Sequence, residues 1–474
     1  MKKLFLSLTA IFLSLTLAAC STAEKSTIGG ADEVGEAAAD APSAPLGGAH
    51  ADADADGYYE AGDIEYGAAF DGIADDMMSG ESAAPEGVYG DYDSSDGFGE
   101  NHIPAAAGTL TAGEWIDNDH LTFWNALHQI EDTGWSSYSA LWSRAYTART
   151  FVTVTSNGKP VENATVTVTS SDNKTLWTAK TDNEGKAYLF YSPSQLDGGL
   201  TVTATYGNYS AKASITSDNY TSAAIELTGE ITANSKSLDL MLIVDTTGSM
   251  SDELSYLQAE LESVITRAVS DNGNIPVRLS VNFYRDDGDE YVVRDFPFTE
   301  NISQAISDLN AQNADGGGDM PEKVNASLDN AINHHDWNEN STKLLFIILD
   351  APPHSEDAKA VAEMNSLTEQ AAEKGIRIIP ILASGGDKEA EYLMRDIAMK
   401  TGGSYLFLTD DSGVSAGGHI QPTVGDYEVE KLNDLMVKVI NRYLANAQTV
   451  AEYIDEKVEL IEEQEPETTT KNEQ

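Results

Sequence analysis

A doubly wound α/β sheet, preceded by a small all-β sandwich domain and an acidic, disordered N-terminal tether, is the fold class that this 474-residue sequence predicts. Three observations predict it. From residue 237 to 447, strand-like apolar runs alternate with amphipathic helical segments, the pattern of a largely parallel sheet with helices on both faces. Two of those runs, Leu238 to Val244 and Leu344 to Leu349, are almost unbroken by polar residues and each ends in an aspartate, Asp245 and Asp350. From residue 149 to 230 the period changes to two, with turn-forming residues between short runs.

The formal charge of -50 sets nucleic acid and anionic membrane surfaces aside as direct partners and favours cations or basic protein surfaces. At the start, Met1-Lys-Lys3 and the apolar run Leu4 to Leu17 have the make-up of a secretory signal, too short for a comfortable membrane span. The run ends in Leu17-Ala-Ala-Cys20, which resembles the bacterial lipobox. Residues 1-19 are therefore expected to be a lipoprotein signal peptide and Cys20, the single cysteine, to carry the lipid. The resemblance implies a protein on the cell membrane or outer membrane, lipid-anchored and extracytoplasmic. Residues 20-104 follow as an acidic low-complexity tether. Between residues 21 and 100 there are twenty Asp or Glu against Lys25 alone, a composition that cannot bury enough apolar surface to offset its ordering entropy.

Residues 105-148 hold Trp115, Trp124, Trp135 and Trp142 and are expected to form an aromatic-rich helical cap, large apolar side chains being core more often than a sugar-stacking platform. In the next stretch, 149-230, Phe151-Val-Thr-Val154, Ala164-Thr-Val-Thr-Val168, Lys186-Ala-Tyr-Leu-Phe190, Leu200-Thr-Val-Thr-Ala204 and Ala223-Ala-Ile-Glu-Leu227 read as strands of an antiparallel sandwich. Asn157-Gly158, Asp182-Asn-Glu-Gly185 and Asp197-Gly-Gly199 supply turns. Gly158-Lys-Pro-Val-Glu-Asn-Ala164 with Thr181-Asp-Asn-Glu-Gly185 resembles the carboxypeptidase regulatory-like or transthyretin-like sandwich, which implies a spacer or interaction module without chemistry of its own.

In the α/β region, 237-447, the first strand leads through Ser251-Asp-Glu253 into a helix carrying Leu254, Leu257, Leu261, Val264, Ile265 and Val269. Strands follow at Val277 to Phe283, Tyr291 to Phe296, Leu344 to Leu349, Arg377 to Leu382 and Ser404 to Leu408. Helices are predicted from about Pro321 to Ile332 and from Val429 to Leu444. Residues 448-474 read as an acidic tail.

Asp245-Thr-Thr-Gly-Ser249, Gly316-Gly-Gly-Asp-Met-Pro-Glu322, Leu349-Asp-Ala-Pro-Pro-His354 and Tyr284-Arg-Asp286 together resemble the von Willebrand factor A domain, in the form found beside alpha-kinases. The resemblance implies a metal-ion-dependent adhesion site. Asp245 would be a direct carboxylate ligand, Thr247 and Ser249 hydroxyl ligands, and Asp350 a carboxylate acting through water. Asp319 stands where many family members have a threonine, which would add a negative charge. Hydroxyls and carboxylates without His or Cys suit a divalent cation, magnesium first, then manganese or calcium, and disfavour zinc. In the family a partner's Glu or Asp often fills the open metal position, so a protein ligand engaged through an acidic side chain is the implied partner. The function expected is a lipid-anchored binding or adhesion protein. The alternative is a cell-envelope assembly or regulatory subunit with a structural metal. No enzyme is expected, since the chain has no HExxH helix and no Walker phosphate loop.

Overall fold

The computed structural model describes residues 110-144, 148-231, 236-318, 320-409 and 420-445. The signal peptide 1-19, Cys20, the tether 20-104, Asp319 and the tail 448-474 lie outside the described residues.

The chain enters as strand β1 (Thr111–Trp115), then the short helices α1 (Leu121–Leu127) and α2 (Trp135–Leu141). Eight short strands follow: β2 (Ala148–Ser156), β3 (Lys159–Pro160), β4 (Thr165–Thr169), β5 (Thr175–Lys180), β6 (Lys186–Tyr191), β7 (Leu200–Tyr206), β8 (Tyr209–Ile215) and β9 (Ser222–Glu226). The chain then alternates through β10 (Leu238–Asp245), α3 (Ser251–Asp271), β11 (Val277–Tyr284), β12 (Val293–Arg294), α4 (Ile302–Asn310) and α5 (Val324–Asn333). It closes with β13 (Thr342–Leu349), α6 (Ala358–Lys374), β14 (Ile376–Leu382), α7 (Lys388–Thr401), β15 (Tyr405–Thr409), β16 (Glu430–Lys431) and α8 (Leu432–Leu444).

Among the described residues the largest sheet has eight strands in the order β12-β11-β10-β13-β14-β15-β1-β16. The run from β11 to β15 is parallel, and β12, β1 and β16 join antiparallel at its flanks. Every residue of β10, β13 and β14 is buried, which explains their near-continuous apolar sequence. Alternate residues serve opposite faces. Leu240, Leu242 and Val244 of β10 pack with Leu257 and Leu261 of α3, Ile306 of α4 and Ile440 of α8. Met241 and Ile243 face the other way, into the core shared with Leu328 of α5, Met364 of α6 and Leu393 of α7.

Residues 105-148 are not a purely helical cap. Thr111–Trp115 is a strand of the large sheet, antiparallel to β15 with Thr111 opposite Thr409 and Trp115 opposite Tyr405. The free edge of β15 recruits a segment with little strand pattern of its own, and Gly113 makes the fit possible. A Cβ there would lie 2.4 Å from Phe407 and 2.7 Å from Tyr427. The helical part does cover α7, with Trp124 stacked on Tyr392 at 5.4 Å and Trp135 edge-on to the same ring at 5.6 Å. The α/β fold thus begins at β1 rather than at residue 237, and the eight short strands are an excursion between β1 and β10.

Those strands make two four-stranded sheets, one joining β2 with β3, β6 and β9, the other ordered β5-β4-β7-β8. Val152, Val154, Val166, Val168, Leu189 and Val202 fill the core between them, and Trp177 meets Phe190 edge-on at 5.4 Å. The expected all-antiparallel pairing holds except that β9 runs parallel to β2. Asn183 donates to the main-chain carbonyls of Arg442 and Ala445, both at 2.9 Å, which ties the small sheets to the end of α8.

Two further boundaries differ from expectation. The helix predicted from Pro321 starts at Val324, after a cis Met320–Pro321 peptide. The strand expected from Tyr291 to Phe296 is reduced to Val293–Arg294, paired with the end of β11.

Candidate metal centre

β10 has β11 on one side and β13 on the other, so the strand order reverses there, and the crevice at the carboxyl ends of β10 and β13 is where open α/β sheets bind ligands. Val244 is in register with Ile348, which brings Asp245 level with the end of β13 and sets Asp350 one residue beyond it. Sheet register alone therefore delivers both carboxylates to the same crevice.

The turn after β10 folds around Asp245. The main-chain N–H of Thr247 donates to Asp245 Oδ1 at 2.9 Å and its hydroxyl donates to the same oxygen at 2.7 Å. The Ser249 hydroxyl lies 3.4 Å from that of Thr247 and also bonds to Asp350. Thr246 points the other way, its N–H and hydroxyl donating to the Tyr284 carbonyl, both at 3.0 Å. The glycine loop closes over this turn, since Gly248 N–H donates to the Gly316 carbonyl at 3.2 Å and Asp315 N–H to the Thr246 carbonyl at 3.1 Å. Gly317 has φ +72, and a Cβ there would come within 3.1 Å of Thr247 and 3.3 Å of Glu322 Oε1. Only glycine lies so close without strain.

Electrostatically the crevice gathers buried carboxylates. Asp245 is fully buried. Burial, and then the charge of Asp350, push its carboxyl up to about 7 against the pull of the bonds from Thr247 and from the buried Tyr284 hydroxyl. Glu322 is 3% exposed and its Oε2 is unpartnered among the described residues. Burial raises Glu322 to about 9, with Asp245, Asp286, Asp350 and Asp289 adding to the rise. Burial also raises Asp350, tempered by the Ser249 hydroxyl, and it raises Glu253, whose carboxylate accepts from Ser384 N–H and hydroxyl at 3.3 and 2.7 Å. Buried carboxylates without counter-charge are costly to ionise, and a bound cation is the economical remedy.

The donor set fits a hard divalent ion: carboxylate and hydroxyl oxygens with no nitrogen or sulfur among them. Among the described residues no three Asp, Glu, His or Cys side chains converge as a cluster, so an ion here would rest on the mixture of carboxylates and hydroxyls. Of the residues named from sequence, Asp245, Thr247, Ser249 and Asp350 are brought together, while Asp319 lies outside the described residues. Glu322 was not among them. It is the last residue of the Gly316 to Glu322 motif that carries the A-domain resemblance, where only Asp319 is given a ligand role.

At the rim, His354 bridges Asp286 at 2.9 Å and Glu356 at 2.6 Å, and Lys323 pairs with Asp287 at 2.8 Å. Arg285 spends its guanidinium on the carbonyls of Thr246 and Asn313, at 3.0 and 2.8 Å.

Residues 239–416 match the family described as von Willebrand factor A domain, and this stretch of the chain is such a domain. Two curated proteins are similar over part of the chain. An ariadne-like RING finger protein of Acanthamoeba polyphaga mimivirus is 31% identical over 121 residues, 26% of this chain and 12% of that protein. The alpha-protein kinase vwkA of Dictyostelium discoideum is 26% identical over 140 residues, 29% of this chain and 22% of the kinase. The matches thus span less than a quarter of either relative. Among solved structures, an aerotolerance-related membrane protein from Bacteroides fragilis with multiple mutations to serine is 16% identical. It covers 44% of this chain and 98% of its own, with a TM-score of 0.28.

Proposed function

We propose, from the premise that residues 239–416 are a von Willebrand factor A domain, that this chain is a binding or adhesion protein whose A domain holds a divalent cation and engages a protein partner at or beside it. Domains of this family generally mediate protein–protein interaction or adhesion. Magnesium is the first choice of ion. Asp245, Thr247, Ser249 and Asp350 would hold it from the two strand ends, with Asp319 as the loop ligand. The ion would supply positive charge and an exchangeable coordination position; the chain's own part is to hold Asp245 and its hydroxyls rigid. In this reading Cys20 carries a lipid, the A domain acts outside the cytoplasm, and the two small sheets form a transthyretin-like sandwich that serves as a spacer.

The observation that carries the reading is the Asp245 carboxylate, wholly buried at the sheet's switch point, facing the charge of Asp350 and met there only by the hydroxyls of Thr247 and Tyr284 and the Thr247 N–H, with no basic side chain paired to it among the described residues. Thermal unfolding of the full chain in magnesium, manganese and calcium series tests it. A ligand at ~100 times its dissociation constant adds about 2.7 kcal/mol to the folded state. That gain is expected in the wild type and should vanish in Asp245→Ala. A melting point indifferent to all three ions, or an equal gain in the variant, would remove the cation from the mechanism.

A further inference from the structure

Beside the outermost strands of the large sheet lies an open cavity of about 220 Å³, walled by Trp115 at the end of β1, by His120 in the turn that follows, and by Tyr427 ahead of β16. Trp115 pairs with Tyr405, the first residue of β15, so the cavity sits at the amino ends of the parallel strands, the edge of the sheet opposite the Asp245 crevice. Its walls are anchored. His120 stacks on Trp115 at 4.1 Å, Tyr427 meets Phe407 edge-on at 4.9 Å, and a Cβ on Gly425 would lie 3.0 Å from the Trp115 ring. Glu391 accepts the Thr423 N–H at 2.6 Å, which holds the segment leading to Tyr427 against α7.

The charge on these walls is one-sided. Five carboxylates line the cavity, Glu114, Asp119, Asp426, Glu428 and Glu430, against the single amine of Lys438. Two of the five are neutralised: Glu114 accepts from both terminal nitrogens of Arg442 at 2.6 and 2.7 Å, and Glu430 pairs with Lys438. Asp119, Asp426 and Glu428 are exposed and form no ion pair among the described residues. Ring faces thus stand beside carboxylates that have no counter-charge. Rings suit the apolar stem of a lysine or arginine side chain, and the carboxylates suit its charged head. The chain's own acidic stretches meet like charge there, since residues 21 to 100 carry twenty Asp or Glu against Lys25.

We propose that this cavity is a docking site for a basic segment of a protein partner, one lysine or arginine side chain lying along the Tyr427 and Trp115–His120 rings with its head at Asp119, Asp426 and Glu428. Complementary charge at such a rim steers encounter and fixes which partner is accepted. The contact requires no divalent ion, so it is independent of the cation reading above and gives the A domain a second point of attachment on its far edge.

Isothermal titration calorimetry of the full chain with an arginine tetrapeptide amide tests this, at about 0.15 M salt so that distant charges are screened. Wild type is expected to bind the peptide. The triple variant Asp119→Asn/Asp426→Asn/Glu428→Gln keeps the shape of three exposed side chains and should bind about tenfold more weakly, the sum of three exposed ion pairs. Tyr427→Leu should weaken binding about threefold through the lost ring. Removing three tether charges instead, Asp52→Asn/Asp54→Asn/Asp56→Asn, should leave the affinity unchanged, as should EDTA, which separates this site from the Asp245 crevice. No binding by wild type, equal affinity in the triple variant, or an equal loss in the tether variant would overturn the proposal. So would spermidine binding as tightly as the peptide with the same dependence on the three carboxylates, which would make the cavity a site for free polyamines. Should Tyr427→Leu fail to fold, the triple variant decides.

Discussion

Asp245 has one oxygen, Oδ1, locked by two bonds from Thr247, and that fixes the direction of its carboxylate. His354 does comparable work at the rim. Burial alone would lower its pKa, but its bonds to Asp286 and Glu356 outweigh burial and hold it above the usual histidine value. The pH dependence follows by linkage. A raised folded-state pKa gives stability that is complete below the unfolded value, about 6.5, and is lost as pH rises through the folded value. His354→Gln is therefore expected to lower the thermal midpoint at about pH 6, with the gap to wild type narrowing toward about pH 9. A gap of constant width would mean that the bridge contributes packing rather than charge. At this scale Asp245, Thr247, Ser249 and Asp350 were legible because each lies at or just past the end of a buried strand, where order in sequence is nearly order in space. Glu322 was not, because its place depends on a glycine loop returning to Pro352, a long-range closure with no local pattern. The chain does hold a G-x-S-x-G sequence, Gly413-Val-Ser-Ala-Gly417, in residues outside the described ones.

Among the elements, α7 carries the most demanding junction. Arg395 is fully buried, donates to Asp117 at 3.0 and 2.7 Å and to Glu391 at 3.2 Å, and lies over the rings of Trp124 and Trp135 at 5.3 and 5.2 Å. It joins the loop after β1 to the helix beneath the aromatic cap. Arg395→Met fills similar space but strands the Asp117 charge in the interior. Breaking a buried pair in this way costs about 3–5 kcal/mol, so the variant should unfold at clearly lower urea; a midpoint within experimental error of wild type would show that the pair is replaceable by packing. The aromatic cap was legible from tryptophan density. The strand β1 was not, since Leu110-Thr-Ala-Gly-Glu-Trp115 neither alternates cleanly nor avoids glycine. Its conformation comes from the waiting edge of β15, a tertiary cause that strand propensity does not record. The start of α5 was misplaced for a related reason, Pro321 having been read as a first helical residue when it precedes the helix.

Over the whole described molecule, the two small sheets form a loop within the α/β fold, leaving it after the cap and re-entering at β10. Their core is continuous with that of α6 and α7. Period and turn residues made the two regions legible separately, but the antiparallel partner that closes the large sheet lies more than a hundred residues before β10, beyond the reach of any periodicity. One cooperative transition is the expected result. Tryptophan emission, to which Trp124, Trp135, Trp142 and Trp177 of the cap and small sheets contribute four of the six tryptophans, and far-ultraviolet circular dichroism, dominated by the large helices, should report the same urea midpoint. An earlier tryptophan transition would show that cap and small sheets unfold as a unit of their own. The antiparallel ladder between β1 and β15 also sets the path of mechanical force. A pull applied at Leu110 and resisted at the crevice beside Asp245 would enter the large sheet directly through the β1 ladder and cross β15, β14 and β13 to reach Asp245. The small sheets, closed off between two points of that sheet, stay out of the load line until β1 gives way.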